Sequence, residues 1–274
     1  MRKFIRVILV IIMLIAGSYT LLVYTQEEQD NLAYEGVDRY IEDVGPDYTP
    51  SDEVIDFGTE ESGIDKIKKY QIEYDWDGLL QLNKDIVGWL YVPDNEIINF
   101  PVVQDDNNNF YLKHDYTGKY SGYGAAFVDY RFNKYSLNKI IYGHNMSLTP
   151  TKPIFTTIIS WLDEDYFNSH RTLYYTEANG LTKEYLIVGV VNCNVYAKDE
   201  YSYLDTFFES EEKLKEWVEY MKEHSVYFDL GDNEVEYRAD EVITLSTCNR
   251  KIGYGSGGRT VLFCVNLTNN TLNK

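Results

Sequence analysis

At 274 residues the chain has room for one or two domains of roughly 100 to 200 residues each. Hydrophobic residues make up 44% and aromatics 15%, with 26 Tyr, which excludes a wholly disordered polymer. Forty-four acids against 25 bases, a formal net charge of −19, exclude a nucleic-acid binder that works by neutralising phosphates. The charge is unevenly placed: residues 1–25 carry +3, residues 26–65 carry −13 and residues 66–274 carry −9.

Val7 to Tyr24 is an uncharged run of eighteen residues, close to the length that crosses a hydrocarbon core of about 30 Å. Ala16-Gly17-Ser18 sits inside the apolar run with more hydrophobics after it, so the segment reads as an uncleaved anchor and not as a cleaved signal. Arg2, Lys3 and Arg6 precede it and Gln-Glu-Glu-Gln-Asp follows, so the positive-inside rule leaves the N-terminus cytoplasmic and everything else outside. Three regions are predicted. Residues 1–25 are the cytoplasmic start and membrane anchor, 26–63 an acidic, self-repelling extended tether, and 64–274 the working domain.

Within the last region, Asp75 to Lys84 is predicted as a short helix running into the strand VGWLYVP. Further strands are expected at 97–103, 124–129, 139–142, 172–176, 185–191, 242–247 and 260–267. A weak helix is expected over Pro153 to Leu162. A strong one starts at Ser210, a natural N-cap followed by two acids, with Leu214, Trp217, Val218 and Met221 on one face. The fold class is mainly β, a barrel or sandwich with helical additions.

No GxxxxGKS/T phosphate loop, CxxC pair or HExxH zinc site occurs, and no cofactor or metal is expected. Cys193, Cys248 and Cys264 are an odd number in an exported chain, so disulfides are not what holds the fold. Cys193 and Cys264 lie inside hydrophobic strand runs and read as core. Cys248 instead ends the strand ITLSTC, and after a ten-residue loop Arg259 opens the next strand. His144 follows the strand ending at Tyr142, so all three stand at strand ends facing one groove. A thiolate attacks acyl carbon, an imidazole protonates the leaving amine and a guanidinium supplies donors to the oxyanion. His114 and His170 read as surface residues, and His224 as a stabilising cation at a helix C-terminus.

TLSTC with Arg259, together with His144 in YGHNM, resembles the sortases, cysteine transpeptidases of Gram-positive surfaces. DIVGWLYVPDNEIINFPVVQ at 85–104, NNFYLKHDY at 108–116, GAAFVDYR at 124–131 and the long helix before the catalytic strand are similar to the class B branch. The resemblance covers about residues 75 to 267. It implies an eight-stranded barrel with N-terminal helices and a membrane enzyme facing the cell wall. In it Cys248 attacks the Thr carbonyl of a C-terminal sorting motif on surface proteins, His144 is acid then base, and Arg259 holds the oxyanion. Ser246 would line the substrate groove. The acceptor would be an amine, a peptidoglycan cross-bridge precursor before a pilin Lys, and the competing outcome is a thiol hydrolase on the same scaffold. A non-enzymatic wall-binding domain is the third reading. The acids here are too scattered for the calcium used in another branch, and the glycine-rich loop NRKIGYGSGG leaves the sorting motif open.

Overall fold

A computed structural model describes residues 2–35, 37–41, 73–93, 95, 97–145, 154–196, 202–231, 242–249, 251 and 257–266. The strands are β1 (Ile86–Tyr91), β2 (Asn99–Val103), β3 (Ala126–Val128), β4 (Asn138–Tyr142), β5 (Thr172–Glu177), β6 (Thr182–Asn194), β7 (Ser225–Phe228), β8 (Val242–Cys248) and β9 (Gly258–Asn266). They pair in the order β5-β1-β2-β3-β4-β8-β9-β6, and β5 pairs back onto β6, closing eight strands into a barrel. β7 adds to β6 outside the ring. Closure leaves the eight strands without a free edge, which suits a sheet of many short strands.

Alternation along the strands sorts three cores. Leu90, Phe100, Ala126, Ile141, Leu173, Tyr185, Ile243 and Leu262 come from all eight barrel strands and form one cluster, the filled lumen. The intervening side chains point outward and need cover. Over β6, β8 and β9 that cover is α4 (Glu211–His224), capped by the Ser210 hydroxyl, which accepts from the Lys213 amide at 3.3 Å. Leu214, Trp217 and Met221 of α4 are buried against Val261, Phe263 and Val265, at about 1.5 to 3 kcal/mol for each large side chain. Over β1 and β3, α2 (Trp76–Leu82) and a 3-10 turn, Phe110–Leu112, cover Trp89 and Phe127.

Three elements differ from the sequence reading. The helix expected over Pro153 to Leu162 is a 3-10 helix, Phe155–Leu162, followed by α3 (Glu164–Ser169) with Asp163 as its N-cap. β7 was not anticipated, because Ser225–Phe228 pairs only with distant β6. The third difference is at the N-terminus. The helix α1 (Arg2–Glu35) runs ten residues into the stretch expected as an extended tether, and a 3-10 turn follows at Val37–Tyr40. Its last turns dock on the body. Asp30 accepts from the Gly122 amide at 3.0 Å, Tyr123 Oη donates to Asn31 Oδ1 at 2.9 Å, and Tyr34 Oη donates to the Gly124 carbonyl at 2.7 Å. Local acidity is offset there by aromatic burial, since Tyr34 packs edge-on against Phe100 and Tyr116. The rest of the expected tether, 42–63, lies outside the described residues.

Candidate active site

β8 sits between β4, which it pairs in parallel, and β9, which it pairs antiparallel. Along β8 the residues Ile243 and Leu245 enter the lumen, so Ser246 and Cys248 share the outward parity with Val242. Cys248 is opposed by Arg259, and Arg259 in turn by Cys193 of β6. Residues opposed across a ladder project to the same face, so Cys248, Arg259 and Cys193 form one row on the outer face of the barrel.

On the other side the parallel register ends at Tyr142 beside Ser246. The next three residues stay alongside β8. The Gly143 amide donates to the Ser246 carbonyl at 3.2 Å, Thr247 Oγ1 donates to the Gly143 carbonyl at 2.8 Å, and Asn145 Nδ2 donates to the Cys248 carbonyl at 3.1 Å. His144 lies between Gly143 and Asn145, and so the structure brings His144, Cys248 and Arg259 to neighbouring strand ends. A glycine is required at 143, because a Cβ there would meet Ile154 Cγ2 at 2.5 Å and the Phe155 ring at 2.6 Å. Phe155 in turn donates its amide to the His144 carbonyl at 3.1 Å. Ile154, β-branched and fully buried, holds a left-handed φ of 69°, a strained conformation kept by this close packing.

Cys248 is half-buried, and none of the three cysteines is disulfide-bonded. Cys264 is fully buried in the lumen, and burial pushes its thiol well above the ordinary range. Cys193, expected as core, is half-buried at the end of the Cys248–Arg259 row and packs against the cluster under α4. Its position is set by the register of the long β6, which the sequence reading ended three residues too early.

Ser246 is 2% exposed and its hydroxyl lies 3.0 Å from Tyr203 Oη. Burial raises the Tyr203 phenol, the Ser246 hydrogen bond opposes that rise, and Cys193 and Cys248 add to it while Arg259 lowers it. Tyr203 is therefore a neighbour of the whole row, and it was missed because its loop carries no motif. Tyr142, beside Ser246 in the β4–β8 register, donates to Asp129 Oδ2 at 2.8 Å. Asp129 is also held by two Arg131 side-chain bonds, each of 2.9 Å.

The other histidines are engaged elsewhere. His114 stacks on Phe110 at 3.9 Å, His170 on Tyr166 at 3.8 Å, and His224 packs on Tyr220 at the end of α4. Among the described residues no three His, Cys, Asp or Glu side chains converge as a metal site requires.

No family model matches the chain. It is 35% identical over 182 residues to Sortase B of Listeria monocytogenes, covering 65% of this chain and 69% of that protein. A Bacillus anthracis crystal structure described as similar to sortase B is 31% identical with a TM-score of 0.58, over 70% of this chain and 82% of that one. A Staphylococcus aureus sortase B–substrate complex is 25% identical with a TM-score of 0.60, over 70% and 84%.

Proposed function

The chain belongs to the sortase B family of cysteine transpeptidases, and from that premise we propose that it cleaves a C-terminal sorting motif of surface proteins after Thr and transfers the acyl group to an amine. Cys248 is the nucleophile. Its sulfur bonds the Thr carbonyl carbon, the bond to the next residue breaks, and His144 gives a proton to the departing amine. Arg259 donates to the oxygen that becomes negative in the tetrahedral intermediate. The incoming amine then attacks the thioester, passing its proton to His144, and the thiol is released. The observation that carries this reading is the placement of the three groups on adjoining strand ends, with Arg259 directly opposite Cys248.

Ser246 and Tyr203 form the floor next to the nucleophile, and the sorting peptide is proposed to lie over them. The amine is proposed to be a peptidoglycan cross-bridge precursor. The helix from Val7 to Tyr34, with a mean hydropathy of 2.5 in its most apolar window, is long and apolar enough to cross a membrane. We assign its part up to residue 25, before the turns that dock on the barrel, as the anchor, N-terminus cytoplasmic, with the barrel facing the cell wall among substrates confined to the same surface.

Intact mass measurement after exposure to candidate sorting peptides tests the assignment. A thioester adduct on the wild-type chain, absent from Cys248→Ala and converted to an amide by added amine, is expected. Free acid as the sole product in the presence of amine would make the chain a hydrolase, and no adduct with any peptide would remove the proposal.

A further inference from the structure

His144 Nε2 lies 2.9 Å from the carbonyl oxygen of Leu112. A carbonyl oxygen can only accept, so the nitrogen facing it must carry the hydrogen in both the neutral ring and the imidazolium. The same edge of the ring is packed from below. A Cβ built on Gly124 would lie 3.1 Å from His144 Cδ2 and 3.1 Å from the Leu112 carbonyl oxygen. Gly124 has a left-handed φ of 65°, which a side chain would strain as well as crowd. The Nε2–Cδ2 edge is thus turned into the segment 111–124, and Nδ1 is on the opposite side of the ring.

The segment against which the ring rests is held by α1. Gly122, Tyr123 and Gly124 each make a hydrogen bond to it, through Asp30, Asn31 and Tyr34 respectively. Within the segment the Ala125 amide donates to the Tyr111 carbonyl at 2.9 Å, next to the Leu112 carbonyl that His144 uses.

Resting on the transpeptidase reading, we infer that Leu112 holds His144 as the Nε2–H tautomer, that Nδ1 is the nitrogen exchanging protons during transfer, and that Tyr34 is a positioning residue for that ring. The thiol proton of Cys248 passes to Nδ1 as the sulfur–carbon bond forms. The Nδ1 proton then goes to the departing amine nitrogen as the carbon–nitrogen bond breaks. In the second half Nδ1 takes the proton of the incoming amine as the new carbon–nitrogen bond forms, and returns it to the Cys248 sulfur as the sulfur–carbon bond breaks. Nε2–H stays bonded to Leu112 throughout, so the ring does not turn between half-reactions. The helix that carries the apolar span thereby reaches the catalytic imidazole through one hydroxyl and one glycine.

The test uses the full chain in detergent, labelled with 15N-histidine, with His144→Gln assigning the ring signals. Two-bond proton–nitrogen spectra of the neutral ring are expected to give the Nε2–H pattern, and an Nδ1–H pattern overturns the tautomer assignment. In Tyr34→Phe the same spectra are expected to show a mixture of tautomers. Peptide acylation should fall about tenfold in kcat, with KM within twofold and the circular dichroism spectrum unchanged. Unaltered kcat and an unaltered tautomer in Tyr34→Phe would overturn the positioning role. A wild-type chain that shows the Nε2–H pattern yet acylates with no peptide would instead refute the transpeptidase assignment.

Discussion

Arg259 is opposed by Cys248 on one neighbouring strand and by Cys193 on the other, in a single row across β8, β9 and β6. The β8–β9 ladder fixes the backbone of Arg259 beside Cys248, and its Nη1 donates to the Gly258 carbonyl at 2.9 Å. The row accounts for how the barrel presents a cation beside a thiol, and its members make separable predictions.

Cys248→Ala is expected to reduce acyl transfer by more than about 10⁴-fold, since the sulfur that forms the thioester is removed. The residue is half-buried at a strand end, so the thermal midpoint should change by no more than a few degrees. Parallel mass and calorimetric measurements separate these effects, and a large fall in the midpoint would assign Cys248 to packing.

Arg259→Lys keeps the positive charge and removes the planar fork. If two directed donors matter, kcat should drop about 10²-fold. Retention of most of the activity would mean that charge alone suffices.

Asp129 gives a pH dependence. Its carboxylate is buried, which raises its pKa, but hydrogen bonds from the Arg131 side chain and backbone and from Tyr142 outweigh burial and leave the pKa below the ordinary value. A depressed folded value means that the unfolded chain takes up the proton first as the pH falls. The stabilisation is therefore complete above about pH 5 and disappears as the pH falls below about 4 through the folded value. Asp129→Asn should cost about 2 kcal/mol at neutral pH, the range for hydrogen bonds to a charged group, and flatten the acid limb of a stability–pH curve. A variant with an unchanged acid limb would assign that limb to other carboxylates.

The three thiols should differ in reactivity. Cys248 and Cys193 are half-buried and Cys264 is sealed in the lumen with its thiol proton held by burial. Titration with a thiol reagent should count two groups in the native protein and the third after denaturation. Modification of three groups without denaturant would contradict the closed barrel.

Much of the site was legible beforehand because its members follow strands, and strand ends are marked by local alternation. TLSTC and YGHN end β-branched runs, and the structure puts them at the ends of β8 and just past β4. The Ser210 cap and the apolar face of α4 were equally local and were found. Ser246 was named for the groove, but its bond to Tyr203, 43 positions away, has no trace in either neighbourhood. Leu112 was invisible for a different reason: it acts through its carbonyl oxygen, which every residue possesses.

The residue string by itself determined the apolar span, the skewed charge, the alternating strands and the kinds of groups available for acyl transfer, because each depends on neighbours within a few positions. Tertiary structure alone decided which groups meet. The order β4-β8-β9-β6 joins strands remote in sequence and lines up His144, Cys248, Arg259 and Cys193. Closure also decided that residues 26–35 are docked, since an acidic segment extends in water unless partners accept it, and Gly122 to Gly124 are brought to Asp30, Asn31 and Tyr34 by the folding of the barrel.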